Sequence, residues 1–414
     1  MTTFKANIIP HGQLLSGPVA STEGTTHPVA YELGRCFQLD PEHCLLVASL
    51  DEQGGGDKCV GNDAFVFSSL DQIAPEKAMP LNRPDPAFPL GSGKTAWMAK
   101  YPATGAFLPL EPGQPSSGTG LMVSTGITFG ADGSSMEKNS EAVREFMQLA
   151  WNGRELHVTD RTYVTSLDGV GLKGTAISSF LVEGNSFLAP FTTDRGTVVF
   201  RFEYGAGKWQ YVAHGRPFGK SRSTHEALPV YSPEIEPSIQ KAHGYFWIHT
   251  RGYDPVGRLY RSENGLDYEI FREQPMHTVP QVLNQRLDGN LYLATNPFPA
   301  PPEIWIRNPL VLLPLGKNGY EEATIAHDEG GIRVDTGDSI PFIDHAVASN
   351  VFLEGRRRHL LFYRVCDLKE RTAYPFQTDL AKLIGTPKPR SPKSGLYLAE
   401  IEYSPGEQER SEAD

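Results

Sequence analysis

GTAISSFLVEGNSFLAPFTTDRGTVVFRFEYGAGKWQYVA, residues 174–213, reads as four short strands punctuated by glycine. Gly174–Val182 leads into the turn Glu183-Gly184-Asn185, and Ser186–Thr192 runs to Asp194-Arg195-Gly196. Thr197–Tyr204 follows and ends at Gly205-Ala206-Gly207, after which Trp209–Ala213 completes the unit. Aromatic and β-branched residues fill the runs, and glycine stands where tight turns need a left-handed backbone. The stretch therefore predicts one four-stranded antiparallel sheet.

The unit recurs downstream. Ile235–Ile239, Tyr245–Thr250, Gly257–Ser262 and Tyr268–Arg272 form a second set, and Val279–Gln285, Leu291–Asn296, Glu303–Ile306 and Leu310–Leu315 a third. Ala346–Leu353, His359–Val365 and Gly395–Tyr403 suggest a fourth, interrupted by the loop Lys369–Lys393. Units of roughly 40–50 residues with about four strands each are the mark of a β-propeller. The expectation is an all-β chain, residues 1–414 forming a single propeller domain of six four-stranded antiparallel blades, with five or seven compatible. Upstream, Cys44–Asp51, Asp63–Ser69 and Thr95–Lys100 read as strands and Pro102–Ser117 as a loop. Glu137–Trp151 reads as a helix, with Val143, Phe146, Met147 and Leu149 spaced for one face.

Composition agrees. The 414 residues include 41 glycines and 33 prolines, above average usage of roughly 7% and 5%, which a turn-rich fold needs and a helix bundle resists. With 39% hydrophobic and 10% aromatic residues the chain can build a core. Its 38 Lys+Arg against 49 Asp+Glu give a net charge of −11, which argues against nucleic acid as a partner. The basic triplet Arg356-Arg357-Arg358 is too short to reverse that and reads as a solvated turn. No segment approaches the ~20 apolar residues a membrane span needs. The amino terminus shows no apolar leader, so the cytoplasm is expected, or secretion if a leader has been removed. Cys36, Cys44, Cys59 and Cys366 make no Cys-x-x-Cys pair and read as reduced thiols.

The stretch from Glu236 to Tyr268 carries the most specific signal. Glu236-Pro237 opens a strand, Arg251 closes the next, and Ser262-Glu263-Asn264-Gly265-Leu266-Asp267-Tyr268 follows. The last piece fits the turn called the Asp box, a structural device. In this order the motifs resemble the sialidase superfamily of β-propellers, also known for its BNR repeats. Arg307-Asn308-Pro309-Leu310 is similar to the Arg-x-Pro-Leu strand in which bacterial-type sialidases present a further arginine. The resemblance covers residues 234–315. It implies that Glu236 acts as base towards a tyrosine, and that Arg251 and Arg307 belong to a triad binding the substrate carboxylate. The family's amino-terminal Arg-Ile-Pro motif is absent. Where its tyrosine precedes the last blade, this chain has Asp344-His345-Ala346-Val347.

Two arginines facing one pocket would bind a planar anion through charge-assisted hydrogen bonds, and a sugar carboxylate fits. Neutralising a uronate also acidifies the adjacent C–H, as β-elimination requires. Propeller polysaccharide lyases, which this chain loosely resembles, pair histidine with arginines for that task. His345, with Asp344 beside it, is the candidate catalytic histidine here. His249 lies two residues before Arg251 and so shares its face. The candidate set is thus Glu236, His345 and Asp344 for catalysis, with Arg251, Arg307 and His249 for binding. An acidic oligosaccharide is the expected substrate, cleaved by elimination or hydrolysis. A non-catalytic glycan- or protein-binding propeller and an enzyme of small-molecule metabolism are the competing readings. No His-x-His or His-Glu-x-x-His spacing points to zinc. No cofactor is expected, although Asp335–Asp338 could belong to a loop holding a structural calcium ion.

Overall fold

The computed structural model describes residues 6–16, 29–52, 59–89, 95–110, 118–129, 143–172, 180–193, 195–219, 234–252, 256–276, 279–297, 307–316, 319–330, 341–367 and 393–403. Strands dominate these segments, and helix is confined to the 3-10 turns Leu70–Gln72 and Pro75–Lys77. The fold is an all-β propeller arrangement.

Four blade-like sheets correspond to the four predicted units. The first runs Leu181–Glu183, Ser186–Thr193, Gly196–Gly205 and Lys208–His214, paired in chain order. The second is Glu234–Ala242, Tyr245–Gly252, Val256–Ser262 and Glu269–Pro275. In the third, Val282–Gln285, Leu291–Thr295 and Leu310–Gly316 are joined by Thr324–His327 and the short Gly319–Tyr320. Leu310–Gly316 is thus the third strand of its sheet rather than the fourth, and the expected strand Glu303–Ile306 lies outside the described residues. The fourth sheet is Pro341–Leu353, Arg356–Asp367 and Gly395–Tyr403, completed by Ala6–Ser16 from the opposite end of the sequence. Ala6 lies opposite Tyr403 and Ser16 opposite Gly395. The chain closes its ring with its own first strand.

Two-residue hairpins set the spacing. Asp168-Gly169, Ala206-Gly207, His243-Gly244 and Glu354-Gly355 each place two successive residues at positive φ, between 48° and 81°. That backbone matches the twist of the strands it joins and favours glycine at its second position. The Arg356-Arg357-Arg358 triplet accordingly starts a strand rather than forming the turn, and Arg356 and Arg358 pair with Glu400.

The amino-terminal part departs further from expectation. Val29–Gln38, Cys44–Glu52, Cys59–Phe67, Thr95–Lys100, Gly118–Phe129, Val143–Trp151 and Leu156–Val164 form a ten-stranded sheet together with Met79–Asn82, Asp85–Pro89 and Thr104–Leu108. A single parallel bridge, Val60 to Lys100, joins its two halves. Val143–Trp151 is a strand and not the predicted helix. Phe146 packs among Leu121, Phe187 and Phe200, whereas Met147, Leu149 and Trp151 pack on the other face among Leu45, Val47 and Met122. A strand buried on both faces loses its polar alternation, so its apolar residues can mimic helical spacing. Thr104–Leu108 is likewise a strand inside the expected Pro102–Ser117 loop.

Successive sheets pack face to face around the ring. Leu188 and Val199 of the first meet Ile239 and Ile248 of the second, and Trp247 and Leu259 meet Leu283 and Leu293 of the third. Leu310 and Leu312 meet Ile343 and Leu361 of the fourth, whose Phe362 and Leu398 meet Tyr31 and Leu46. Glu234–Ala242, Pro341–Leu353 and Val29–Gln38 are each the edge strand that opens its run of hairpins, and they carry residues of the candidate site. The four cysteines are buried and unbridged.

Candidate functional site

Three first strands break register in the same way. Pairing skips from Ile235 to Ser238 against Arg251 and His249, from Asp344 to Val347 against Arg364 and Phe362, and from Tyr31 to Gly34 against Leu50 and Ala48. In each case one extra residue is inserted, a β-bulge that re-aims the side chain following the last regular pair. Those side chains are Glu236, His345 and Glu32. Of the non-glycine residues at positive φ among the described residues, four belong to the two-residue hairpins. The other two are Glu236 at 53° and His345 at 49°. Neither is glycine, so each holds a costly backbone conformation outside any turn that requires it. Such strain persists where the surroundings over-determine it, and it clusters at functional sites.

The re-aimed residues meet arginines from the neighbouring strands. Arg251 Nη1 donates to both Glu236 carboxylate oxygens at 3.0 Å. Arg364 clamps Asp344 with Nε on Oδ1 and Nη2 on Oδ2, both at 2.8 Å, and its Nη1 donates to Glu32 Oε2 at 2.7 Å. Arg307 Nη1 donates to Asp344 Oδ2 as well, so that oxygen accepts from two guanidiniums. Phe342 carries two of these cations, its ring centroid 4.0 Å from the Arg307 guanidinium carbon and 5.2 Å from that of Arg364. His345 links the two halves, with Nδ1 3.0 Å from Asp344 Oδ1 and Nε2 3.8 Å from Glu236 Oε1. Both spacings are close, but neither nitrogen is aligned for a hydrogen bond.

The electrostatics follow from this crowding. Burial would raise the Glu236 carboxyl, but the charge of Arg251 and then His345 hold it down at about 2. Asp344, also buried, is held well below the usual carboxylate range by Arg364, His345 and Arg307. Arg307 is pushed down to about 10 by burial, with Asp344 opposing and the neighbouring charges of Arg251 and Arg364 adding to the fall. Three guanidiniums therefore share one small volume, held by three carboxylates. Exposure narrows at the bottom: the Glu236 and His345 side chains keep 11% and 9% of their surface, and Asp344 none. Glu236 and His345 are the groups a guest would meet first.

Five of the six expected residues converge here. The sixth, His249, is buried on the Arg251 strand, where its ring stands 6.3 Å from Tyr320. Its Nδ1 has no hydrogen-bond partner among the described residues, and burial pushes the ring down to about 3. Arg364 and Glu32 were not expected. Each is a lone charge in an apolar strand, Leu360-Leu361-Phe362-Tyr363-Arg364-Val365 and Val29-Ala30-Tyr31-Glu32-Leu33. A charge in such a run is expensive unless paired, and that is the signal which marks them. Tyr363, next to Arg364, turns away and donates or accepts at His327 Nδ1, 2.9 Å off. Among the described residues no group of three or more His, Cys, Asp or Glu is arranged to hold a metal ion. Asp335–Asp338 lies outside the described residues.

No protein-family model matches the chain, and no curated protein matches its sequence. Solved structures do. The Trypanosoma rangeli sialidase in complex with the inhibitor DANA superposes with a TM-score of 0.54 at 8% identity, over 98% of this chain and 61% of that one. The same enzyme in complex with sialic acid gives 0.53 at 9%, over 98% and 60%. A protein of unknown function from Dyadobacter fermentans gives 0.50 at 11%, over 95% and 99%. The chain spans about three fifths of the sialidase chains it matches. At such identities the likeness shows the fold, which is that of a sialidase-like β-propeller.

Proposed function

We propose, with a sialidase-like β-propeller as the premise, that this chain is a carbohydrate-active enzyme that cleaves an acidic glycoside at the Glu236–His345 cluster. One observation carries the reading: Arg251, Arg307 and Arg364 share a single buried volume with the strained Glu236 and His345 at its open side. Fixed guanidiniums favour a planar carboxylate over a neutral sugar, because their charge-assisted bonds lose little entropy on binding. The ten-stranded amino-terminal sheet fits this architecture as two further blades, its halves packed face to face across Val47 and Met147, for six in all. Ser262–Tyr268 serves as an Asp box, with Asn264 Oδ1 accepting from the Leu266 and Asp267 amides at 2.9 Å.

Elimination is the first mechanistic reading, for no tyrosine hydroxyl meets Glu236 among the described residues. The arginines neutralise a uronate carboxylate and so stabilise the carbanion-like charge that develops on the adjacent carbon. His345 takes the proton from that carbon. The C–H electron pair becomes the new C=C bond, the neighbouring C–O bond breaks, and the departing oxygen is protonated from water. Glu236, held ionised, keeps Arg251 in place and faces the imidazolium that forms. Hydrolysis of a sialic-type or uronate glycoside at the same cluster is the second reading, supported by the fold.

A panel of glucuronate-containing oligosaccharides and sialosides separates them. Elimination raises ultraviolet absorbance through the unsaturated product, and hydrolysis releases reducing sugar without it. If neither signal appears on any member, the enzyme reading fails and a binding propeller takes its place.

A further inference from the structure

A cavity of about 300 Å³ opens beside the second sheet, lined by Phe218, Gly219, Glu234, Arg258, Tyr260 and Tyr268, with Ile270 and Glu273 at its mouth. It is separate from the arginine cluster, although Glu234 stands only two residues before Glu236. Its polar groups are fixed. Glu234 Oε2 accepts from Thr250 Oγ1 and Tyr260 Oη, both at 2.8 Å, and Oε1 lies 3.5 Å from Arg258 Nε. Arg258 Nε also donates to Glu273 Oε1 at 2.8 Å. The apolar wall is aromatic, with the Phe218 centroid 4.8 Å from that of Tyr260 and 5.0 Å from that of Tyr268. Two details point to a ligand. The Tyr268 hydroxyl is buried without a hydrogen-bond partner among the described residues. Gly219, at φ +78°, leaves open a place where any Cβ would stand 2.8 Å from Glu234 Oε2.

We infer that this cavity binds one neutral, hydroxyl-rich sugar ring. Two carboxylates against one guanidinium disfavour an anion. A purely apolar guest would leave Tyr268 Oη unmatched, which costs more than a hydrogen bond returns. A sugar ring offers both kinds of surface, a C–H face for Phe218 and Tyr268 and hydroxyls for Glu234, Glu273 and Tyr268 Oη. The volume stands at the small end of ligand pockets, roughly 300–1,000 Å³, as one ring requires. The half-exposed Ile270 and Glu273 form the rim through which it enters.

Saturation-transfer NMR and calorimetric titration of the full chain test this without any turnover, so the result is independent of the cleavage reading. The probes are methyl galactoside, methyl glucoside and methyl mannoside, with methyl glucuronoside and cyclohexanol as charged and apolar contrasts. At least one neutral glycoside should bind saturably, at roughly millimolar strength. Tyr268→Phe and Glu273→Gln should each weaken it about threefold to tenfold, the loss of one hydrogen bond, with the melting temperature as the check on folding. Ile270→Arg, at the exposed rim, should block entry outright. Absence of saturable neutral-sugar binding overturns the inference. So does binding that ignores all three substitutions, or cyclohexanol binding that falls with them as the glycoside does.

Discussion

Asp344 is the residue on which the arginine cluster rests, because two guanidiniums are satisfied by its one carboxylate. Asp344→Asn leaves Arg307 and Arg364 with an uncompensated charge in a buried place. Breaking such a pair costs about 3–5 kcal/mol, so the melting temperature should drop clearly while Glu236→Gln changes it less. Activity should order differently. His345→Ala should lower kcat by about 10²-fold or more, the usual worth of a placed proton-transfer group, and Glu236→Gln should lower it as well by loosening Arg251, both measured on whichever panel substrate is cleaved. Wild-type kcat in the His345 variant removes that residue from the mechanism. The cluster also sets a pH dependence of stability. Glu236 falls to about 2 on folding from an ordinary 4.5, so its contribution is whole above about pH 4.5 and disappears as pH falls towards 2. His249 and His359 are both pushed to about 3 by burial. The unfolded chain binds their protons below about 6.5 and the folded chain does not, so each lowers stability by up to about 1.4 kcal/mol per pH unit on acidification. Denaturant midpoints should therefore decline from pH 6.5 downwards, and His249→Gln should flatten that decline. The five converging candidates were legible because the Glu-Pro, Arg and Arg-x-Pro-Leu order singles them out. Arg364 and Glu32 were passed over since each stands alone in an apolar run, with its partner hundreds of residues away or on another strand.

Strands and turns differ in how openly the sequence declares them. The first and second sheets declare themselves by their glycine hairpins, and their borders agree with expectation within a few residues, except that most of the expected strand Gly174–Val182 lies outside the described residues. Val29–Gln38 and Val143–Trp151 are buried nearly throughout, which erases the period of two and made the latter look helical. Bulges are hidden for another reason: nothing in Ile235-Glu236-Pro237 or Asp344-His345-Ala346 shows a left-handed residue, except the proline that cannot join the ladder. The Ser262–Tyr268 turn, by contrast, is specified residue by residue. Gly265, at φ +75°, would bring a Cβ to 2.7 Å from Leu188 Cδ1. Gly265→Ala should cost about 1–3 kcal/mol through backbone strain and overpacking, and Asn264→Ala about 1–2 kcal/mol through its lost amide bonds. Both should lower the chemical-denaturation midpoint and leave the turnover of whichever panel substrate is cleaved unchanged. An unaltered midpoint in the Gly265 variant would mean that the turn relaxes around the added methyl.

The ring as a whole depends on a strand that sequence order places farthest away. Ala6–Ser16 covers Gly395–Tyr403, which otherwise ends its sheet as an open edge and invites pairing between molecules. Removing residues 1–16 should convert a well-behaved chain into one that aggregates on size-exclusion chromatography and melts at lower temperature. A soluble truncation with the original melting temperature would show that the strand is dispensable. This closure has a consequence for connectivity itself. Because Ala6 and Tyr403 are cross-strand neighbours, a short linker could join them, and the polypeptide could be opened instead at Ala206-Gly207 with every pairing kept. The order in which the sheets are written is then one of several equivalent spellings of the same circle. Circular permutants would share a native state while beginning its assembly from different blades.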